Sequence, residues 1–524
     1  MTASTAPVAP PVVTSDSPRT AGGSRRRLRA LLVPVAASVM AGLLLFAALP
    51  PSTMWPLAPV AVALLTGALL RRSVRFGALL GLLAGLAYFV PMLRWTAPVA
   101  GVDAWLILAV SQGVQWAALG AGGALLTRLR AWPLLVPGLW VASEAARGRV
   151  PFGGFPWGRL AMTQADGPLA AWAALGGVPL VTAAVAAVGV ALVVALGGRG
   201  APRVRAVGVV GAAAVLTGGV LLTSALPSTG DSGAATVAVV QGGVPGRTLE
   251  TLARERVVLD NHVTLTAELA DAVSAGRKPA PDLVVWPENA SDIDPYSVPQ
   301  ARQAIERAAA DVGVPVLAGV IERLPDDERA NVSVVVDPRA GLGERYVKRA
   351  PVPFAEYMPF RPLVSSIFTR VEDLLPTDMV AGRAPGLLHV GGIDLGALIC
   401  FEVVFDDLVR DVAGSELVVL QTNNATFGEM GEAEQQIAMA RLRAVEHGRT
   451  VVVSSTSGVS AVIDPEGSVL ASTGTYSREL LVETVSLRDG STFAAQLGAL
   501  PEMALALSAL AGVAAAGVRS RGAA

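Results

Sequence analysis

Hydrophobic residues are concentrated in long segments at the two ends of the chain. Up to about residue 226 apolar segments alternate with short polar connections, and one more apolar segment lies near the C-terminus. A helix needs roughly 20 apolar residues to cross the hydrocarbon core of a bilayer. The pattern predicts eight transmembrane helices, of which the second and fifth are short, near residues 31–49, 55–70, 76–93, 104–126, 131–146, 168–197, 204–226 and 496–518.

The region between residues 227 and 495 has a different pattern. Short β-branched runs alternate with helical periodicity, which is typical of an α/β domain. Several runs are continuously apolar, as expected for strands covered on both faces. Strands are predicted at residues 235–241, 282–286, 315–320, 331–337, 393–400, 417–422, 450–455 and 460–464. Helices are predicted at residues 249–275, 299–312, 404–413 and 432–447.

Composition agrees with a membrane protein and excludes several functional classes. The mean hydropathy is +0.54 and only 16% of residues are charged, against about 25% in soluble domains. The net charge of −1 gives no basic field for nucleic acid. With one cysteine and three unclustered histidines, the chain predicts no disulfide, no zinc site and no cofactor.

The arginines predict the orientation of the helices. They cluster in alternate connections, and the positive-inside rule places these in the cytoplasm. The clusters are at residues 25–27, 71–75, 128–130, 199–205 and 519–521. The expected order is a disordered cytoplasmic tail (1–29), seven helices (30–226), an extracytoplasmic domain (227–495), an eighth helix (496–518) and a cytoplasmic tail (519–524). We therefore expect a multi-pass protein of the plasma membrane.

Two charged residues lie at the end of a predicted span. Glu144 and Arg147 precede an aromatic loop at residues 151–157. Charges at membrane depth are often functional, but an interfacial ion pair next to an aromatic anchor explains them equally well. Both interpretations stay open at this level.

Three residues with acyl-transfer chemistry follow predicted strands. Glu288 follows Trp286-Pro287, Lys348 follows a short run ending at Val347, and Cys400 ends the run 393–400. Taken singly, each is more often a surface residue or a buried apolar thiol. Together they supply a thiol nucleophile, a carboxylate to accept its proton and an ammonium to stabilise an oxyanion.

These motifs resemble the carbon–nitrogen hydrolase (nitrilase) superfamily, whose Glu–Lys–Cys triad has the same order. Further segments resemble its apolipoprotein N-acyltransferase family, and the resemblance covers nearly all of the chain after about residue 30. These segments are Val240-Gln241-Gly242, the loop 154–157, and residues 353–359, 422–428 and 439–446. Phe401 and Thr426 stand where many family members have tyrosine and tryptophan.

The resemblance implies a fold, a reaction and its partners. The fold is a membrane helical bundle with a nitrilase-like αββα sandwich. The reaction is N-acylation of the N-terminal S-diacylglyceryl cysteine of an apolipoprotein, with a phospholipid as acyl donor and a thioester on Cys400 as intermediate. Some related chains are fused to, or act beside, a polyprenol-phosphate glycosyltransferase, so a separate partner of this kind stays open.

The resemblance also implies supporting roles for two more carboxylates. Glu356 and Glu402 would orient Lys348 and tune the site, and structural ion pairing is an equally good explanation for both. From the chemistry of the reaction, the backbone N–H of Phe401 is a second candidate oxyanion donor. The apolar loop 360–368 either enters the bilayer as a lipid gate or packs on the domain core.

Other functions were weighed against this one. A membrane-anchored amidase or nitrilase acting on a small exported amide uses the same triad but does not need eight spans. A non-enzymatic scaffold does not need an intact triad. A cysteine–histidine pair with His389 or His447 lacks any companion motif.

Overall fold

The computed structural model describes residues 21–197, 201–225, 230–244, 256–367 and 375–522. The described part preceding residue 226 is helical. Its helices are α1 (Ala21–Ala47), α2 (Leu57–Leu69), α3 (Val74–Met92), α4 (Ala97–Ala100), α5 (Val102–Leu126), α6 (Trp132–Arg147), α7 (Ala173–Leu196) and α8 (Pro202–Ala225).

Six helical segments of the described residues are long and apolar enough to cross a membrane. They are Leu28–Ala47, Val74–Ala100, Val102–Leu126, Pro168–Leu196, Pro202–Ser224 and Leu500–Ser520. At 1.5 Å per residue, the 13 residues of α2 extend only about 20 Å, less than the hydrocarbon thickness of about 30 Å. The prediction of a membrane helical bundle is confirmed, whereas the count of eight crossings stays a prediction.

The ends of the first and last helices differ from the expected boundaries. Residues 21–29, expected in a disordered tail, continue α1 toward the N-terminus, and four of them are arginines, which are good helix formers. Residues 1–20 lie outside the described residues. The last helix runs to Gly522 and so includes residues 519–522 of the expected C-terminal tail, while residues 523–524 are not described.

Small residues let the membrane helices approach closely. A Cβ atom on Gly81 of α3 would lie 2.1 Å from the carbonyl oxygen of Trp116 in α5. A Cβ atom on Gly120 of α5 would lie 2.1 Å from the carbonyl oxygen of Gly77 in α3. Such contacts compensate for the weak hydrophobic drive between helices in lipid. The α3–α5 pair therefore depends on glycine at both positions.

The connections between helices lie at two opposite ends of the bundle. At one end Arg128, after α5, donates to the carbonyl oxygen of Arg72, after α2, at 3.0 Å. At the other end Pro50, after α1, accepts a hydrogen bond of 3.4 Å from Gln435 in the α/β domain. Arginine-rich connections thus lie together, away from that domain.

The α/β domain contains two six-stranded sheets. The first has the order β12-β1-β2-β3-β4-β5 and the second β11-β10-β9-β8-β7-β6. The strands are β1 (Gly233–Gln241), β2 (Leu283–Val285), β3 (Val316–Arg323), β4 (Arg329–Asp337), β5 (Gly341–Val347), β6 (Leu387–Val390), β7 (Ile393–Ile399), β8 (Leu417–Thr422), β9 (Thr450–Ser455), β10 (Ala461–Ile463), β11 (Val469–Ser472) and β12 (Glu479–Leu487). The other helices are α9 (Val257–Ser274), α10 (Pro299–Val312), α11 (Arg361–Ile367), α12 (Asp406–Asp411), α13 (Glu432–His447), α14 (Phe493–Leu497) and α15 (Leu500–Gly522).

The alternation of side chains along the strands builds four layers. In β1, Val237 and Val239 belong to the core between the two sheets, whereas Ala238 and Val240 belong to the core that the first sheet shares with α9 and α10. Successive residues of a strand point to opposite faces, so a strand covered on both faces is apolar throughout. The second sheet packs on α13, and that core continues into the membrane helices. The predicted αββα sandwich is confirmed.

Most predicted strands are present, and the differences have a physical cause. The strands β6, β11 and β12 were not predicted, and of β5 only the short run before Lys348 was noted. All four carry exposed residues and lie at sheet edges, so their apolar pattern is weak. The predicted helix 404–413 is shorter, with a 3₁₀ turn at Cys400–Val404 followed by α12. Part of the predicted helix 249–275 lies outside the described residues, and α9 begins at Val257.

A carboxylate of the α/β domain reaches a break in α7. Gly176 and Gly177 leave the helical conformation, and Gly177 has φ of +73°. Glu446 Oε1 accepts a hydrogen bond of 3.4 Å from the backbone N–H of Val178. A Cβ atom on Gly177 would lie 2.4 Å from that oxygen. Glycine at this position therefore permits both the backbone conformation and the approach of Glu446.

Glu446 ends a buried chain of charges that joins the two parts of the molecule. Arg443 donates to Glu446 and, at 2.7 Å, to Asp406, which also accepts two bonds from Arg159 at 2.8 and 2.9 Å. All four side chains are buried. Because each charge has a neighbour of opposite sign, the desolvation cost is offset along the chain.

We expect Gly177→Ala to weaken the contact between α7 and the α/β domain. Alanine at positive φ costs about 1–2 kcal/mol, and its Cβ would displace Glu446. The measurement is the melting temperature of the detergent-solubilised protein. The matched control is Gly67→Ala in α2, where a Cβ atom meets no atom within 4 Å. Equal melting temperatures for the two variants would contradict this explanation.

Candidate active site

Three predicted residues meet at one end of the sandwich. Glu288 lies just beyond β2, Lys348 directly follows β5 of the same sheet, and Cys400 directly follows β7 of the second sheet. Glu288 and Lys348 are 3% and 1% exposed, and Cys400 is half-buried. The site is therefore assembled from both sheets and is largely shielded from water.

Lys348 binds two carboxylates. Its Nζ lies 3.1 Å from Glu288 Oε1 and 2.9 Å from Glu356 Oε1. Asn331 Nδ2 donates to the same two oxygens, at 2.6 and 3.2 Å. The other oxygen of Glu356 accepts from the backbone N–H of Val352 at 2.7 Å. The ammonium is thus held in one position by groups that are themselves fixed.

Cys400 occupies a strained turn. It has φ of +55°, in the left-handed region that side chains other than glycine rarely adopt, and it begins the 3₁₀ turn Cys400–Val404. Such strain costs about 1–3 kcal/mol and persists only where surrounding structure enforces it, as at many functional sites. The turn brings the thiol within electrostatic range of Glu288 and Lys348.

The environment determines the resting protonation of the site. Burial raises the pKa of the Cys400 thiol, the charge of Glu288 adds to this rise, and Lys348 opposes it. Burial also raises the pKa of Glu288, with Lys348 opposing and Glu356 adding to the rise. Burial alone would lower the pKa of Lys348, but the two carboxylates outweigh it and raise that pKa well above its ordinary value. The cysteine therefore rests as a thiol beside a permanent ammonium.

Glu402 connects the loops that carry Lys348 and Cys400. Its carboxylate is fully buried and accepts from the backbone N–H groups of Arg349, Ala350 and Ile399 at 2.7, 3.1 and 2.9 Å. Tyr346 Oη donates to both its oxygens at 2.9 Å. These contacts place Glu402 as a link between backbone segments, whereas Glu356 is the carboxylate that contacts Lys348 directly.

The residue after the cysteine contacts the membrane part of the chain. The Phe401 ring stacks on the Trp157 ring, with 5.6 Å between the ring centroids and 7° between the ring planes. It also stacks on the Phe155 ring, at a centroid distance of 5.3 Å. Arg147 donates to the carbonyl oxygens of Phe155 and Trp157 at 2.7 and 2.6 Å. Trp157 Nε1 also donates to Gln435 of α13 at 2.7 Å. The loop between α6 and α7 thus packs directly against the turn that begins at Cys400.

The two charges at the end of α6 bind this loop. Glu144 accepts from the backbone N–H of Leu160 at 2.8 Å and from Thr182 at 2.7 Å, while Arg147 binds loop carbonyls. Their partners belong to the loop and to α7, so the interpretation as a simple interfacial ion pair does not describe their contacts. Both residues act in fixing the loop that Phe401 touches.

The segment around Phe360 exposes apolar side chains. The side chains of Phe360 and Leu363 are 69% and 62% exposed, so these two residues do not pack on the domain core. The Phe152 ring, from the loop after α6, lies 5.5 Å from Phe354 and 5.9 Å from Phe360. These three rings form an exposed aromatic patch. Phe368, the last residue of the predicted gate, lies outside the described residues.

Sequence reasoning missed two further buried groups of the site. Asn331 was recognised only as the start of a strand. The signal available in the sequence was a polar residue at the start of an otherwise largely apolar, β-branched run. Glu432 is buried, accepts from Asn424 Nδ2 at 2.7 Å, and has its pKa raised to about 8 chiefly by burial. It also lies within electrostatic range of Cys400.

The histidines lie elsewhere. His389 is exposed and bonds Asp394 at 3.0 Å, while His262 accepts from the backbone N–H of Gly242 at 3.2 Å. Burial lowers the pKa of His447 to about 4, and its nearest charged neighbour is Glu446 at 3.8 Å. A histidine base for Cys400 is not supported by these positions. Among the described residues, no group of three or more His, Cys, Asp or Glu is placed to hold a metal ion.

Comparison with known proteins covers both parts of the chain. Residues 41–191 match the family described as Apolipoprotein N-acyltransferase N-terminal domain, and residues 236–495 match Carbon-nitrogen hydrolase. The curated Apolipoprotein N-acyltransferase of Mycolicibacterium smegmatis is 38% identical, over 91% of this chain and 84% of the relative. The Apolipoprotein N-acyltransferase of Chromobacterium violaceum is 29% identical, over 90% of this chain and 92% of the relative. An amidase from Nesterenkonia sp. with a known crystal structure is 20% identical in sequence. Its structure matches 52% of this chain and 95% of its own chain with a TM-score of 0.35.

We expect Asn331→Ala to slow alkylation of Cys400 by iodoacetamide at neutral pH. The hydrogen bond from Asn331 lowers the pKa of Glu288, so its loss raises that pKa and the proton-accepting carboxylate forms only at higher pH. Losing a hydrogen bond to a charged group of about 1.5 kcal/mol corresponds to roughly tenfold in rate. Cys400 is the only cysteine, so the alkylation rate reports this site alone.

Ser333→Ala is the matched control for this experiment. Ser333 lies two residues along the same strand, is fully buried, and its hydroxyl has no hydrogen-bond partner among the described residues. The alkylation rate of Cys400 in this variant should depend on pH in the same way as in the unchanged protein. Identical profiles for both variants would remove Asn331 from the control of Glu288.

Proposed function

The chain belongs to the apolipoprotein N-acyltransferase family, and we propose that it transfers a phospholipid acyl chain to the N-terminal amine of S-diacylglyceryl apolipoproteins. The observation that carries this proposal is the position of Cys400. Its thiol lies within electrostatic range of a buried carboxylate and a buried ammonium, while the next residue stacks on a loop of the membrane part. A nucleophile in contact with that loop suits substrates that are themselves anchored in lipid.

The first half-reaction forms a thioester. The Cys400 sulfur attacks the ester carbonyl carbon of the phospholipid while Glu288 takes the thiol proton. This concerted transfer suits a thiol whose raised pKa keeps it protonated at rest. When the ester C–O bond breaks, Glu288 returns the proton to the leaving oxygen, so a lysophospholipid departs.

The second half-reaction transfers the acyl group to nitrogen. The α-amine of the diacylglyceryl cysteine attacks the thioester carbonyl, a C–N bond forms, and the C–S bond breaks. Glu288 accepts the amine proton and returns it to the departing sulfur, which restores the resting site. Atoms and charge balance without any co-reactant.

Lys348 stabilises both tetrahedral intermediates. Its ammonium is fixed by Glu288 and Glu356 at 3.1 and 2.9 Å, so it needs no reorganisation when negative charge develops on the carbonyl oxygen. The backbone N–H of Phe401 is the second proposed donor. Glu356 serves as the positioning residue for Lys348, and Glu402 as the link that keeps the two loops together.

The membrane arrangement concentrates both substrates at the site. We propose that all eight predicted helices cross the plasma membrane and that the α/β domain is extracytoplasmic. The grouping of Arg72 and Arg128 at the end of the bundle away from this domain supports that orientation. Confinement of enzyme and lipid substrates to one surface raises their effective concentration. The exposed patch of Phe152, Phe354 and Phe360 serves as the proposed entry for acyl chains.

We expect a phospholipid with a fluorescent acyl chain to label the protein covalently at Cys400. The label should be released by neutral hydroxylamine, because a thioester is cleaved under these conditions. Cys400→Ala should insert into membranes normally and show no label, since the variant has no thiol. Labelling that persists in the alanine variant would exclude Cys400 as the acyl carrier.

Mass spectrometry of a lipoprotein N-terminus distinguishes the acyltransferase from an exported amidase. With the active protein, the N-terminal peptide should carry three acyl chains. With the Cys400→Ala variant it should carry two, because the α-amine remains free. An unchanged acyl count, together with Cys400-dependent release of ammonia from small amides, would favour the amidase.

A further inference from the structure

A cavity lies between the membrane helices and the α/β domain. It encloses about 510 Å³, within the range of small-molecule sites. One side is formed by the connection between α6 and α7 and by the end of α8, and the other by α13, the β10–β11 turn and the segment entering α14. None of the groups of the Glu288–Lys348–Cys400 site lines it, so it is separate from the proposed reaction.

Two opposite ion pairs border this cavity. Arg441 Nη1 lies 2.6 Å from Asp166 and Arg488 Nη2 lies 2.9 Å from Glu466. The guanidinium side chains are 21% and 15% exposed, whereas the two carboxylates are 40% and 57% exposed. Cations thus lie deeper and anions lie nearer to solvent. A guanidinium has five N–H donors, more than these contacts use.

The remaining lining combines small apolar residues with polar ones, and part of it lies where membrane helices begin or end. The polar residues are Thr223, Ser468, Ser491, Thr492 and Gln496. Ala170 and Ala171 line the cavity just before α7, Ala174 lines it at the start of α7, and Thr223 lies two residues before the end of α8. Phe493 at its edge is 56% exposed. Exposed apolar residues at the ends of membrane helices contact the interfacial region of a bilayer. Phe493 and Thr223 are exposed at the edge of the cavity, so the cavity opens beside the ends of the membrane helices.

We propose that this cavity binds a zwitterionic phospholipid whose headgroup carries a phosphate and a primary ammonium. The phosphate binds the two deeper guanidinium groups, which match its geometry. The ammonium binds the outer carboxylates of Asp166 and Glu466, and the acyl chains leave the cavity past the exposed residues Phe493 and Thr223. An anionic headgroup without an ammonium leaves the carboxylates uncompensated, so charge complementarity selects the zwitterion.

The bound lipid joins the two parts of the molecule. The Arg441–Asp166 pair already spans from α13 to the α6–α7 connection, the same two elements that meet at Trp157 and Gln435. A lipid bridging these elements stabilises their contact by binding only the assembled form. The site is thus a structural lipid site beside the domain junction, distinct from the donor site at Cys400.

The test uses the full chain in nanodiscs, as the Cys400→Ala variant so that acyl transfer is blocked. Photoactivatable phosphatidylethanolamine should crosslink to peptides containing residues 165–174 and 488–496. Photoactivatable phosphatidylglycerol should label these peptides about tenfold less, the effect of one lost charge-assisted hydrogen bond. Water-soluble phosphoethanolamine is added as a competitor to distinguish binding of a free headgroup from binding of a whole lipid. At a lipid site, phosphoethanolamine should compete only weakly.

Two pairs of substitutions decide the proposal. Arg441→Gln with Arg488→Gln should reduce the phosphatidylethanolamine crosslinks about tenfold, whereas the matched control Arg478→Gln, from a surface pair with Glu268 at 2.7 Å, should not. Asp166→Asn with Glu466→Gln should abolish the preference over phosphatidylglycerol, which tests the site even where the arginine variant fails to fold. Unchanged crosslinking in both pairs, or crosslinks found only near Cys400, would overturn the proposal.

Discussion

The burial of the Lys348 ammonium is the constraint on which the site depends. An unpaired ammonium in this position would carry a desolvation cost of several kcal/mol, so Glu288 and Glu356 must lie within hydrogen-bond distance. Burial, and after it the charge of Glu288, raises the pKa of the Cys400 thiol. The same arrangement that keeps the lysine charged therefore keeps the sulfur protonated until a substrate arrives, and it keeps a carboxylate at hand to accept the proton.

The membrane helices do more than hold the α/β domain at a surface. Phe401 stacks on Trp157, whose loop is fixed by Arg147. The chain of Arg159, Asp406, Arg443 and Glu446 runs from this loop to the break in α7, and Arg443 Nε also donates to the carbonyl oxygen of Val403 at 2.8 Å. The strained turn at Cys400 is thus supported from both parts of the molecule, which explains how an energetically unfavourable backbone conformation persists at this residue.

The fold was predictable where burial makes the pattern strong. Central strands such as β8 (Leu417–Thr422) are apolar on both faces and were visible in the sequence, whereas β11 (Val469–Ser472) and β12 (Glu479–Leu487) alternate weakly because they lie at sheet edges. The short helices α2 and α6 were expected to be uncertain as spans, since their length falls below that of the hydrocarbon core.

By itself the sequence determined the division into membrane and α/β parts and the choice of Glu288, Lys348 and Cys400 as candidates, because strand ends and apolar segments are local patterns. Tertiary structure alone decided that Asn331 joins Glu288 to Glu356 and that Glu402 binds backbone groups. It also decided that Glu446 reaches the break in α7. These contacts join residues far apart in the chain, and a buried hydrogen bond depends on where the fold brings its partners, which no local periodicity encodes.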